Sequence, residues 1–340
     1  MTNTHVSTPT TTNAVLFHEP GSPDVLSVEE VPLAAPGPDE LLLRVEAIGL
    51  NRAEALFRAG TYFYRPTLPA SRNGYEAAGV VEAVGSAVTG FAPGDPVLAT
   101  SGSLHLSTHG IYAERVVLPA TTVLHRPEGV AAVTAAAAWL TYSTAYGALL
   151  EKGGLRPGDH VLITGASSGV GTAALQVANR IGAIPIATTR TAAKKQQLLD
   201  AGAAHVITTD DEDVVKEVGR ITGGTGAAII FDAIGGPGLA TLGEAAAPDG
   251  TIIVYGWLDA RPAELPTNWP LTVIGYNNIA LTSDPGGRHR AAHFIASGLR
   301  SDAFAPVVGA TFDGLERMAD AHRLMESNAH TGKIVVTVRH

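Results

Sequence analysis

At 340 residues, with a formal net charge of −9, no cysteine, 38 glycines and 21 prolines, the chain is long enough for two domains that each bury their own core. The missing thiols exclude disulfides, thiol catalysis and every thiolate-held zinc site, and the scattered basic residues exclude the concentrated positive face of a nucleic-acid reader. No run reaches the roughly 18 apolar residues of a membrane span and the first residues lack the pattern of a signal peptide, so a soluble, cytoplasmic protein without membrane or nucleic-acid partners is expected.

Residues 1–12, rich in Thr and Asn, read as a frayed tail. From Ala14 to about Arg126 short β-branched runs alternate with Pro and Gly: Ala14 to Phe17, Leu41 to Val45, Gly79 to Val84, Pro96 to Ala99 and Tyr112 to Val117. That spacing predicts a β-rich, barrel-like domain. Within it, Arg52 to Ala59 has helical character between Asn51 and the breaker Gly60. Glu54 and Arg58, one helical turn apart, are expected to pair. His105 and His109 are also four apart, but no Glu-bearing helical motif surrounds them, and they read as loop residues.

After Pro127 the texture changes. An Ala-rich helical stretch runs through Trp139 to Leu150, and strands follow at His160 to Thr164, Ile184 to Thr188, His205 to Ile207, Ala228 to Phe231 and Thr251 to Tyr255. Helical segments lie between them, at Val170 to Ile181, Ala192 to Ala201, Glu212 to Thr222 and Leu239 to Ala246. Continuous apolar strands alternating with helices predict a parallel sheet covered on both faces, hence an α/β fold. The apolar stretch Leu271 to Leu281 reads as an edge strand of that sheet. Phe312 to Glu326 reads as a helix and Lys333 to Val338 as a closing strand.

Strand Val161 to Thr164 runs directly into Gly165-Ala166-Ser167-Ser168-Gly169-Val170-Gly171 and then a helix. Glycines that admit a pyrophosphate, followed by a helix N-terminus with free N–H groups, make a dinucleotide-binding loop. The same residues also fit the Gly-x-Ser-x-Gly elbow of an α/β-hydrolase, with Ser167 as nucleophile and Asp232 and His293 or His322 following in order. Against that rival stands the end of the next strand, Thr188-Thr189-Arg190-Thr191-Ala-Ala-Lys194. It carries no acid to bind the ribose hydroxyls of NAD, but offers a guanidinium, a lysine and hydroxyls to the 2′-phosphate of NADPH.

Several ordered blocks resemble the zinc-free quinone oxidoreductase, or zeta-crystallin-like, branch of the medium-chain dehydrogenase/reductase superfamily. They are Gly49-Leu-Asn51 through Gly60-Thr-Tyr62, Gly74-Tyr75-Glu76 through Gly85, Gly94-Asp95-Pro-Val97, Leu140 through Thr144-Ala-Tyr146, the glycine loop, Asp200-Ala-Gly202-Ala, Phe231-Asp232-Ala-Ile234-Gly235 and Thr331-Gly332-Lys333. The resemblance implies a Rossmann doubly wound parallel sheet over 129–302 and a GroES-like β-barrel domain over 13–128 and 303–340, with the active-site cleft between them. Zinc-dependent relatives carry Cys where Asn51 stands and His where Tyr75 stands; Glu76 alone cannot hold a catalytic zinc, which wants three protein ligands.

Without a Lewis acid the favoured chemistry is hydride transfer from NADPH to an electron-poor acceptor, a quinone or other conjugated carbonyl. The resemblance implies a role for Asn51 beside nicotinamide and substrate and offers Tyr62 as proton donor, with water, or Tyr64 or Phe63 next to it, as the alternatives and all three aromatics as pocket wall otherwise; Tyr64 and Tyr75 fall in the substrate pocket. It also implies that Thr144, Ala166 to Gly171, Thr188, Lys194, Asp232, Ile234, Tyr255, Gly256 and Lys333 meet the cofactor; Arg190 is an addition to the family's pattern and joins them on its charge beside Lys194. An enoyl-thioester or alkenal reductase is the alternative enzyme, and a non-catalytic NADPH-binding protein the alternative of another class. Edge-strand pairing implies a homodimer.

Overall fold

The structure, a computed structural model, describes residues 10–100, 104–268 and 270–340. The chain divides into two compact units. The first comprises the described residues up to Trp139 with Ala310–His330 and Ile334–His340; the second comprises Leu140–Gly309 and Thr331–Lys333.

The first unit is built on the long strand Glu40–Gly49, whose apolar residues point to both faces. It pairs antiparallel with Glu76–Val84, Arg115–Pro119 and Lys333–Thr337. Pro96–Thr100, Val123–His125 and Val308–Asp313 complete a seven-stranded sheet. Register shifts at Leu42/Leu43 and Val45/Ala47 act as bulges, which increase local twist and curve the sheet. Gly79 allows close approach of its neighbour: a Cβ there would lie 2.2 Å from the Arg44 carbonyl oxygen. The core inside this sheet joins Leu43, Val45, Ile48 and Val81 to Met318 and Met325 from the C-terminal helix.

A two-stranded ribbon, Thr11–Leu16 with Ser27–Pro32, lies in the same unit. The tail read for residues 1–12 falls over residues 1–9 outside the described residues. Thr11 and Thr12, by contrast, are strand residues, because Thr12 Oγ1 accepts the Arg115 N–H at 3.1 Å and is buried by it.

The second unit holds a six-stranded, all-parallel sheet: His160–Ile163, Ile184–Thr189, His205–Thr208, Ala227–Asp232, Ala246–Val254 and Thr272–Gly275. Numbered one to six along the chain, these strands lie in the order 3-2-1-4-5-6. That is the doubly wound dinucleotide-binding topology, whose order reverses between strands one and four, and ligands bind where it reverses. Its core is the aliphatic set Leu162, Ile186, Ile207, Ile230 and Ile252, with Val218 from a covering helix. Among the described residues no helix is long and apolar enough to cross a membrane.

Three segments after Pro270 depart from expectation. Phe312 belongs to the strand Val308–Asp313; Gly314, at φ +98°, breaks the chain, and the helix begins only at Met318 and runs to Ser327. The period-2 burial of Val308–Asp313 is the strand signal that the helical reading overlooked. Within Leu271 to Leu281 only Thr272–Gly275 is strand. The Asn277 side chain accepts the Ile279 N–H at 2.8 Å and turns the chain into the short helix Ile279–Ser283. The sixteen-residue helix Pro285–Arg300 is an addition to the expected elements, announced by Asp284 as N-cap and Pro285 as first helical residue.

Candidate active site

The loop after strand His160–Ile163 meets the end of strand Ala227–Asp232 at the point where the sheet order reverses. Thr164 Oγ1 donates to Asp232 Oδ1 at 2.5 Å, and Asp232 also accepts the N–H groups of Ile234 and Gly235, at 3.2 and 2.7 Å. Burial raises the Asp232 pKa, and these three donors oppose the rise. Asp232 therefore braces two loops together. Gly256 fits this close packing, since a Cβ there would stand 2.6 Å from the Ala233 oxygen.

In the loop itself Gly165 adopts φ +55°, and Ser168 caps the helix Gly169–Ile181 by accepting the Gly171 N–H at 3.0 Å. Gly171 has no room for a side chain: its Cβ would lie 2.6 Å from Ala166 Cα, so the first helical turn seats directly on the buried Ala166. Val170 lies half-buried in that turn. The C-terminal segment is laced to the same loop, with the Gly332 N–H donating to the Ser167 oxygen at 2.8 Å. Lys333 Cδ would stand 3.4 Å from a Cβ on Gly169. Tyr255 stacks on Phe231 at 4.0 Å, and its buried hydroxyl leans toward Ser168 without reaching a partner at hydrogen-bond distance. Free N–H groups at a helix start, glycines without room for side chains and an orphaned hydroxyl beside them fit a bound nucleotide.

Strand Ile184–Thr189 delivers Thr188, buried, and then Arg190, exposed. Lys194 reaches back to the loop, its Nζ 3.4 Å from Ser167 Oγ. Partial burial, and next the charge of Arg190, hold its ammonium below the usual lysine range. Thr144 is buried, and its hydroxyl donates to the Leu140 carbonyl one helical turn back at 2.6 Å.

The other group of candidates gathers in the first unit. Asn51 caps helix Arg52–Arg58 in an extended conformation, and its Nδ2 donates to Gly49 O at 3.1 Å and to Glu54 Oε1 at 3.2 Å, with Glu76 Oε1 at 3.5 Å. Tyr75 Oη lies between two further phenols, donating to Tyr62 Oη at 3.1 Å and standing 3.2 Å from Tyr64 Oη. Burial pushes the Tyr62 phenol up to about 12 and raises those of Tyr64 and Tyr75 as well. All three therefore stay protonated at neutral pH. Phe63 beside them is 65% exposed.

Behind this cluster runs a buried polar network that sequence reasoning missed. Tyr112 Oη donates to Glu54 Oε2 at 2.5 Å and lies 3.1 Å from His322 Nε2, while His322 Nδ1 is 2.7 Å from Arg58 Nη1. Arg58 also donates to Gly21 O and to Glu326. The expected Glu54–Arg58 pair is thus replaced by partners that only the fold supplies: Glu54 turns to Asn51, Tyr75 and Tyr112, and Arg58 to the C-terminal helix. A fully buried guanidinium needs several acceptors, a demand invisible in local spacing.

The hydrolase alternative loses its triad. Asp232 is engaged by Thr164 and two backbone donors, Ser167 faces Lys194, and His293 pairs with His289 on the exposed face of Pro285–Arg300. Both ring nitrogens of His322 are taken by Arg58 and Tyr112 in the first unit. His105 and His109 bracket a short helix, Leu106–His109, where His105 Nδ1 accepts the Ser107 N–H at 3.3 Å.

A parallel sheet in 3-2-1-4-5-6 order with a glycine loop at its reversal point defines a dinucleotide-binding enzyme class. The sequence matches the family model of the alcohol dehydrogenase GroES-like domain over residues 37–128 and that of the zinc-binding dehydrogenase over 169–294. The quinone oxidoreductase of Homo sapiens is 30% identical over 328 residues, covering 95% of this chain and 97% of its own. Among solved structures, the Escherichia coli quinone oxidoreductase complexed with NADPH aligns with a TM-score of 0.84 at 27% identity, covering 96% of this chain and 99% of its own. An NAD-dependent alcohol dehydrogenase aligns with a TM-score of 0.84 at 32% identity, covering 96% and 100%. The chain belongs to the quinone oxidoreductase branch of the medium-chain dehydrogenase/reductase superfamily, and is an oxidoreductase with a GroES-like and a Rossmann unit.

Proposed function

We propose that this enzyme is a zinc-independent, NADPH-dependent reductase of quinones or other conjugated carbonyl compounds. The observation that carries the cofactor reading is the grouping of Arg190, Lys194 and Ser167 beside the glycine loop. Lys194 and Arg190 both follow the end of strand Ile184–Thr189, and an anionic 2′-phosphate there would accept charge-assisted hydrogen bonds from both. Human and Escherichia coli relatives named as quinone oxidoreductases, the latter bound to NADPH, support the same reading.

The residues do not fit a catalytic zinc. Where zinc-dependent relatives present Cys and His, this chain presents the Asn51 amide and the Tyr75 phenol, leaving the Glu76 carboxylate as one ligand where three are wanted. Among the described residues no group of three or more His, Cys, Asp or Glu side chains could hold a metal ion.

NADPH when bound supplies hydride. The residues of the loop, with Asp232 bracing it, bind and orient the nucleotide. Asn51, fixed by Glu54, presents a rigid amide, and Tyr62 holds the proton that the reduced acceptor needs on oxygen. Steady-state turnover of a quinone, an enone and an enoyl thioester with NADPH and with NADH tests the proposal. Turnover of the quinone or enone with NADPH favoured is expected. A preference for NADH, or turnover confined to the thioester, would overturn it.

A further inference from the structure

The hydroxyls of Tyr64, Tyr75 and Tyr62 form a chain whose direction can be read. Tyr75 donates to Tyr62 at 3.1 Å. A phenol has a single hydrogen, so Tyr75, having given its own to Tyr62, can only accept from Tyr64, 3.2 Å away. The Leu106 N–H faces the Tyr64 oxygen and completes the same direction. Tyr62 thus accepts from Tyr75, and its own hydrogen is not spent within the chain.

The middle member is the one the fold holds most firmly. Tyr75 is only 4% exposed, and its backbone N–H is fixed by the Glu54 carboxylate at 2.7 Å. Tyr62 and Tyr64 are half-buried, packed against each other at 5.2 Å between ring centres, and Tyr64 also packs on Phe57 and on the exposed His105. The chain therefore leads from a solvent-accessible end through a buried hydroxyl to Tyr62.

We infer that Tyr64, Tyr75 and Tyr62 form a one-way proton relay, in which Tyr75 is the positioning residue that frees the Tyr62 hydrogen for the acceptor and restores it afterwards. This rests on the reading of Tyr62 as proton donor given above. Bound NADPH would supply hydride to a conjugated position of the acceptor, whose electron pair would then rest on its carbonyl oxygen. That oxygen bonds the Tyr62 proton as the Tyr62 O–H breaks. Tyr75 passes its proton to Tyr62, Tyr64 passes its own to Tyr75, and water reprotonates Tyr64. One hydride and one proton enter the acceptor, and every phenol ends as it began. While Tyr62 is ionised, the bond from Tyr75 stabilises its oxyanion.

The test uses phenylalanine variants of the full-length enzyme with NADPH and the best acceptor of the panel. Tyr62→Phe should lower kcat by roughly 10²-fold, in the range of a lost general acid. Tyr75→Phe keeps the ring and the backbone bond to Glu54. It should lower kcat by about tenfold at unchanged KM for NADPH and enlarge the solvent deuterium isotope effect on kcat, because proton delivery becomes slower. The double variant should be no slower than Tyr62→Phe alone, since coupled residues are not additive. If Tyr75→Phe loses its cooperative thermal transition, Tyr64→Phe breaks the chain one link earlier at a half-exposed position. It should then show the same enlarged isotope effect. Wild-type kcat and isotope effect in the Tyr75 or Tyr64 variant, with Tyr62→Phe still slow, would overturn the relay while leaving Tyr62 as donor. A wild-type rate for Tyr62→Phe would instead remove the reading on which the relay rests.

Discussion

Glu54 accepts the backbone N–H of Tyr75 at 2.7 Å across twenty-one positions of the chain. The same carboxylate takes the Asn51 N–H at 2.6 Å and the Tyr112 hydroxyl at 2.5 Å, so two candidate site residues hang from one buried anion. Glu54→Gln replaces one acceptor oxygen by a donor facing donors. It is expected to cost about 1–3 kcal/mol of stability, the penalty of leaving buried polar groups unmatched, and to lower kcat more than it raises KM. Chemical denaturation and steady-state kinetics on the same preparation check both; unchanged stability would mean that Glu54 does not carry this load.

His322 is expected to make the enzyme acid-sensitive. Burial, and next the charge of Arg58, push its imidazole down to about 3 from 6.5. Between those values the unfolded chain binds a proton that the folded chain refuses, so stability rises with pH across the window. The contribution is fully present above pH 6.5 and is lost as pH falls toward 3, amounting to a few kcal/mol. Denaturant unfolding at pH 7, 6, 5 and 4 measures the slope. His322→Gln should flatten it, and an undiminished slope in that variant would assign the acid sensitivity elsewhere.

Cofactor discrimination is expected to reside in Arg190 and Lys194. Charge-assisted hydrogen bonds contribute roughly 1.5–3 kcal/mol each, so the double variant Arg190→Ala with Lys194→Ala should weaken NADPH tenfold or more. NADH, lacking the phosphate, should bind almost as before. Fluorescence titration of both nucleotides decides; an equal loss for the two would show that the phosphate binds elsewhere.

Zinc should be dispensable for turnover. Exhaustive dialysis against a chelator is expected to leave kcat unchanged, with metal analysis of the dialysed enzyme finding far less than one zinc per chain. Loss of activity on dialysis, restored by one equivalent of zinc, would contradict the assignment of Asn51 and Tyr75 to non-metal roles.

The strand Thr272–Gly275 ends the parallel sheet, and its residues are mostly exposed, Val273 at 39%. An edge with free backbone groups and an apolar side chain favours pairing with a second copy. A homodimer by light scattering at micromolar concentration is the expected result, and Val273→Lys should shift it toward monomer. A monomeric mass for the unaltered chain would exclude this edge as an interface at that concentration.

The strand, glycine turn and helix proposed to hold the nucleotide were legible in the sequence because their determinants lie close together along the chain. Strand, glycine turn and helix occupy one continuous segment from His160 to Ile181, and steric demands such as that of Gly171 act within it. The period of the apolar residues likewise announced the parallel strands in order. The tertiary structure alone decided the polar interior of the first unit. Arg58 reaches past Glu54, four residues away, to His322 and Glu326, 264 and 268 positions distant, and Tyr75 comes to rest between Tyr62 and Tyr64. Buried polar groups must satisfy their hydrogen bonds with whatever the packing brings within reach, and that neighbourhood is set by sheet register and helix docking rather than by spacing along the chain.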